Sequence, residues 1–204
     1  MMPSKSPPPD FVTSQSDKLI RAAGLRYSDA TFDSFEIGND EHSNKRRHAF
    51  NTVGNWVANE SWRSGSCLLL CGRCGTGKDH LAVAAAKRII EVHGACCHYA
   101  TGAAIFREAK DFDAGGLNLE KYTDRHVLIL SDIVNASGGV SEFEAGVLYS
   151  ILDARYRDQL PCVVSVNANG ANDLDDRIGK RVADRLLHRA TVTTFDWPSY
   201  RRQQ

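Results

Sequence analysis

Between Cys67 and His93 the chain passes from an apolar run, Cys67-Leu68-Leu69-Leu70-Cys71, through Gly72-Arg73-Cys74-Gly75-Thr76-Gly77-Lys78-Asp79, into an alanine-rich stretch from His80 to His93. This order predicts a buried strand, a glycine-rich turn and a helix, the context that a phosphate-binding loop requires. The glycines let successive backbone N–H groups turn inward around a polyphosphate, which the positive end of the following helix also attracts. Gly72, Gly75, Thr76, Gly77, Lys78, Asp79 and His80 are therefore candidate nucleotide contacts, with Lys78 reaching the β- and γ-phosphates as a compact charge. A plain turn with a surface lysine leaves the coincidence of Gly72, Gly77 and Lys78 unexplained. One position departs from the pattern GxxxxGK[ST]: the hydroxyl that should ligate magnesium is replaced by the carboxylate of Asp79.

Beyond the loop the rhythm is strand, helix, strand. Strands are predicted at 67–71, 96–100, 127–130, 162–166 and 191–195. Helices are predicted at 79–92, for about ten residues from Thr101, at 141–158 and at 179–189. The helix at 141–158 carries Phe143, Val147, Leu148, Ile151 and Leu152 on one face, and a further helix at 43–62 faces the core with Ala49, Phe50, Val53, Trp56 and Val57. Continuous apolar strands alternating with helices imply an α/β, three-layer fold with a central parallel sheet covered on both faces, and the glycine loop after its first strand makes a P-loop NTPase fold the expectation. At 204 residues the chain suits one domain. Residues 1–25 are expected to be a disordered or weakly ordered leader, with a short helix from Ser16 to Leu25, and 26–204 the ATPase domain. The proline- and serine-rich start has no apolar core of a secretory signal, and no apolar run approaches a bilayer span, so a cytoplasmic location with no membrane partner is expected. Formal net charge is zero, so basic clusters matter only locally; Lys45-Arg46-Arg47 reads as a solvated helix face. Of six cysteines, Cys71 and Cys74 form a CxxC, but no second one exists at zinc spacing, and the rest sit in apolar runs as small hydrophobes.

A nucleotide loop needs an acidic group at the end of a neighbouring strand to organise magnesium and the attacking water. The candidate is Val127-Leu128-Ile129-Leu130-Ser131-Asp132, which places Ser131 at the magnesium-organising position and Asp132 at the water-activating one. The two departures are related: a carboxylate stands where a hydroxyl belongs, and a hydroxyl where a carboxylate belongs. The expectation is an exchange in which Asp79 ligates Mg2+ and Ser131 hydrogen-bonds to it; the competing reading is a crippled site whose carboxylate repels the phosphates. Asn167, after the fourth strand, is placed to orient water or touch the γ-phosphate. Arg181 and Arg185 lie four apart on one helical face, and an arginine supplied to a neighbouring subunit strongly accelerates phosphoryl transfer.

Together these motifs resemble the ATPase domain of the DnaC helicase-loader family and its relatives, the IstB transposition helpers and the DnaI-type loaders, which are AAA+ (RecA-like) ATPases. The resemblance runs from about residue 25 to 201, on Gly72 to Leu81, Ala30-Thr31-Phe32-Asp33-Ser34-Phe35, Gly179 to Leu186, and Phe195-Asp196-Trp197-Pro198-Ser199-Tyr200-Arg201. It implies ATP or ADP with Mg2+ as ligands, Asn167 as the sensor 1 residue, Arg185 as an arginine finger acting in trans within a homo-oligomer, Arg181 as its companion and Arg201 as the sensor 2 arginine. Relatives carrying asparagine after the loop lysine give position 79 a precedent without a hydroxyl. The family expects Asp-Glu where Ser131-Asp132 stands, which predicts slow hydrolysis. The implied partners are a replicative helicase and single-stranded DNA, the latter over Thr101 to Lys110 with Phe106, Arg107 and Lys110. The expected role is an accessory of DNA replication; a transposition helper and a non-hydrolysing nucleotide scaffold are the alternatives.

Overall fold

The computed structural model describes residues 6–134 and 138–202. Among them the chain forms α1 (Pro9–Ala23), α2 (Ser43–Ala58), β1 (Leu68–Gly72), α3 (Lys78–His93), β2 (Cys97–Thr101), α4 (Gly102–Lys110), α5 (Leu119–Thr123), β3 (Val127–Ser131), α6 (Glu142–Arg157), β4 (Cys162–Val166), α7 (Leu174–Ile178), α8 (Lys180–Leu187) and β5 (Thr191–Phe195). The five strands pair in parallel in the order β2-β3-β4-β1-β5.

Alternation along each strand builds the layers. Leu68 and Leu70 of β1 and Val127 and Ile129 of β3 face a core shared with α1, α2 and α3. Leu69, Cys71, Leu128 and Leu130 face the other core, under α4, α6, α7 and α8. Strands covered on both faces have no polar side, which is why they read as unbroken apolar runs. The result is the expected three-layer α/β sandwich with a parallel sheet. Local signals set several helix starts: Thr101 caps α4, and Ser141 with Glu144 forms a reciprocal capping box on α6.

Three expectations are corrected. The leader is helical from Pro9, and α1 packs on α3 and β2 with Leu19 buried, because its apolar face finds a partner that local composition does not reveal. Arg46, read as part of a solvated basic face, is buried: its guanidinium holds both carboxylate oxygens of Asp40 and the Ile37 carbonyl. Phe143, assigned to the core face of α6, falls in the first turn of the helix and is 42 % exposed. Among the described residues no helix is long and apolar enough to cross a membrane.

Candidate functional site

The loop leaves β1 at the carboxyl edge of the sheet, where β1 lies between β4 and β5. That edge is where open parallel sheets place their ligands. Gly77 caps α3 with φ 92°, a conformation that side chains rarely adopt, and a Cβ there would come within 2.7 Å of the Phe35 ring. Gly72 lets the chain pass Phe195 so closely that a Cβ would stand 2.5 Å from its carbonyl oxygen. The loop is braced from the C-terminal segment: Trp197 Nε1 donates to the Thr76 carbonyl at 3.0 Å, and the Tyr200 N–H donates to the Gly75 carbonyl at 2.9 Å.

Lys78 is 5 % exposed, and its ammonium donates to the carbonyls of Gly72 and Arg73, each at 2.8 Å, and to Asn167 Oδ1 at 3.1 Å. Burial lowers its pKa from the ordinary lysine value, and Asp79 beside it opposes that shift. Asp79 sits one residue on, in the first turn of α3. Its Oδ1 accepts from Ser131 Oγ at 2.6 Å and from Ser165 Oγ at 2.6 Å, and its Oδ2 from the Tyr27 hydroxyl at 3.3 Å. The contact between Asp79 and Ser131, expected from their paired departures, is therefore made. Asp132 follows β3 with φ 47°, and its carboxyl is pushed above the usual range by partial burial and then by the neighbouring charge of Asp79. His80 is turned towards the N-terminal segment, 2.9 Å from the Thr31 carbonyl and 3.2 Å from Ser34 Oγ.

A cleft of about 360 Å³ brings Gly75, Gly77, Lys78, Asp79, His80, Asp132, Asn167 and Arg201 together. Ser131 reaches it through Asp79. Gly72 and the buried Thr76 belong to the loop but do not line the cleft, and two further predicted residues lie on another helix. Arg185 pairs with Asp153 and Asp184, each at 3.0 Å, and stacks over Tyr156; Arg181 is exposed on the same helix. Phe106, offered for base stacking, is buried against the sheet, while Arg107 and Lys110 are exposed.

The sequence reading missed Arg26, Tyr27, Phe35, Glu36 and Tyr200, which also line the cleft, and Ser165. Ser165 left a signal: it is the one polar residue of the strand Cys162-Val163-Val164-Ser165-Val166. Tyr27 left none, since its contact joins residues 52 apart.

A parallel sheet with helices on both faces, a phosphate loop after its first strand and a polar strand end beside it define a P-loop ATPase domain of the AAA+ type. The match to the family described as IstB-like ATP binding protein covers residues 12–204. The chain belongs to the IstB-like ATP binding protein family. Among curated relatives, the replicative helicase loader DnaC of Buchnera aphidicola (strain APS) is 26 % identical over 192 residues, 91 % of this chain and 75 % of that one. DnaC of Escherichia coli K12 is 29 % identical over 142 residues, 65 % of this chain and 55 % of its own length. The putative ATP-binding protein of insertion sequence IS232 from Bacillus thuringiensis subsp. berliner is 26 % identical over 141 residues, 66 % of this chain and 55 % of its own length. Among solved structures, a DnaC helicase loader superposes with a TM-score of 0.73 at 24 % identity, covering 84 % of this chain and 99 % of that one. A DnaI structure gives 0.71 at 20 % identity, covering 91 % and 98 %. These likenesses carry the fold.

Proposed function

We propose that this chain is an ATP-controlled accessory factor of DNA replication that loads or remodels a replicative helicase. The observation that carries the proposal is the alignment with helicase loaders along 91 % of the chain, the phosphate loop included. A transposition helper is the second reading, favoured by the description of the family and by the IS232 relative.

The residues fit a magnesium nucleotide. Lys78 meets the phosphates from the floor of the cleft, where its three protons already hold oxygens that a phosphate oxygen can replace. Asp79 would hold magnesium, since a carboxylate oxygen is a hard donor that this ion takes, with the Ser131 and Ser165 hydroxyls holding the carboxylate. Magnesium supplies neutralisation of the charge that develops on the phosphates. Asn167, held by Lys78, orients a water or the terminal phosphate, and Asp132 accepts a proton from that water. With Ser131 in the usual place of an acid, turnover is slow, which suits a switch better than a motor. Arg185 acts on a neighbouring copy, because in its own chain it pairs with Asp153.

The test is a pull-down of the host's replicative helicase with ATP, with ADP and without nucleotide. Capture that depends on ATP and is lost in Lys78→Ala supports the loader. Capture of a transposase in place of the helicase selects the second reading, and capture indifferent to nucleotide refutes the switch. Phosphate release by the same proteins separates a slow ATPase from a scaffold.

A further inference from the structure

The lone pairs of Asp79 bear on which cation the site accepts. Oδ1 takes two short hydrogen bonds, each 2.6 Å, from Ser131 and Ser165. Both serines are buried, at 1 % and 0 % exposure, on adjacent strands, and their hydroxyls lie 3.3 Å apart. A carboxylate oxygen offers two lone pairs, so Oδ1 is filled. Among the described residues Oδ2 accepts only from the Tyr27 hydroxyl, at the long distance of 3.3 Å, and so keeps accepting capacity within the cleft that Asp79 lines.

We propose that Ser165, together with Ser131, holds Asp79 as a one-oxygen ligand and so sets the cation preference of the nucleotide site towards magnesium over calcium. This rests on the reading of the cleft as a magnesium-nucleotide site. Magnesium demands near-octahedral geometry and is served by single carboxylate oxygens, whereas calcium takes more ligands and readily engages both oxygens of one carboxylate. Two-oxygen ligation by Asp79 would break two charge-assisted hydrogen bonds and leave the two hydroxyls only their long 3.3 Å contact with each other in a dry core. Ser165 touches neither nucleotide nor cation in this scheme; it is a positioning residue that acts through Asp79. A hydroxyl serving strand stability alone would change unfolding and leave cation preference unmoved.

The experiment is calorimetric titration of the full chain with the non-hydrolysable analogue AMPPCP in magnesium, in calcium and in EDTA. Wild type, Ser165→Ala, Ser131→Ala and the double variant are compared, with circular dichroism to verify folding. Removing one oxygen atom from a packed site keeps the fold, and two separate serines keep the test open should one variant fail. The ratio of magnesium-supported to calcium-supported affinity is expected to fall roughly tenfold in each single variant, the worth of one hydrogen bond to a charged group, and further in the double. Ratios unchanged within about twofold in the folded variants, while magnesium still supports wild-type binding, would overturn the inference and leave the nucleotide reading intact. Wild type that binds AMPPCP in neither metal would overturn both.

Discussion

Exchanging the two departures back to the usual arrangement, Asp79→Thr with Ser131→Asp, probes the site at its centre. Ser131→Asp alone puts a second carboxylate beside Asp79 at a position 1 % exposed, where the two side chains now lie within hydrogen-bond distance. Two like charges about 4 Å apart at an effective dielectric of about 20 repel by about 4 kcal/mol, and this variant should lose that much stability. Asp79→Thr alone removes the acceptor of two charge-assisted bonds; with the new hydroxyl taking up part of the pairing, a loss of about 2 kcal/mol is expected. In the double variant a carboxylate again faces a hydroxyl and the repulsion is gone, so the total loss should be about 2 kcal/mol rather than the sum of about 6 kcal/mol. The coupling of about 4 kcal/mol is read from urea unfolding in EDTA, with the slope required to stay constant across the four proteins. Equilibrium dialysis of ATP with magnesium should show binding lost in Ser131→Asp and regained in the double variant. Additivity of the single losses within about 0.5 kcal/mol would refute the exchange and leave the crippled-site reading.

Trp197→Phe removes the hydrogen bond that braces the Thr76 carbonyl and should cost about 1 kcal/mol in urea unfolding while weakening ATP binding through a looser loop. Arg155 is fully buried and donates to the carbonyls of Tyr122, Arg125, His126 and Pro161, so Arg155→Leu should lose about 3 kcal/mol or more by the same measurement. Tyr122→Phe deletes a bond to the Glu108 carboxylate and should cost about 1.5–3 kcal/mol at neutral pH. The Tyr122 hydroxyl is raised above the ordinary tyrosine range by burial and then by Glu108. Its contribution is thus complete below the unfolded tyrosine pKa and lost as pH rises through the folded one; the variant should show a shallower alkaline loss of stability than wild type. Arg185→Ala should leave ATP affinity of the isolated chain unchanged and lower phosphate release only at concentrations where copies associate, as seen by malachite green assay against protein concentration.

What the sequence disclosed was local, or paired by a shared rule. The loop declares itself in eight adjacent positions, and the five strands in unbroken apolar runs. The Asp79–Ser131 contact was legible because each residue broke a pattern in a way the other repaired. Position alone did not show that Ser165 completes the pair, or that Tyr27, Trp197 and Tyr200 converge on the loop, because those contacts span 52 to 125 residues and depend on how the layers close. Arg46 misled for a related reason. Three consecutive basic residues look solvated until Asp40 and the Ile37 carbonyl arrive from the preceding segment to hold the middle one.

Those distant contacts have a common consequence. Tyr27, from the segment that follows α1, donates to Asp79, and Thr31 and Ser34 engage His80. From the other end Trp197 and Tyr200 hold the carbonyls of Thr76 and Gly75, and Tyr200 also reaches back to the Glu36 carbonyl at 2.5 Å. The loop is therefore clamped between two segments more than 160 residues apart in sequence, which also touch each other. A ligand that frees the Gly72 and Arg73 carbonyls from Lys78 and draws on Asp79 changes a partner of the N-terminal clamp directly, and bears on the C-terminal one through Thr76, whose hydroxyl donates to the Arg73 carbonyl and whose own carbonyl Trp197 holds. In the switch proposed above, the connection between nucleotide and partner would run through these backbone carbonyls and one carboxylate. The mechanical cost of the signal is correspondingly small: two hydrogen bonds to carbonyls and one to a carboxylate, each about 1–3 kcal/mol, are enough to bias how the two segments sit.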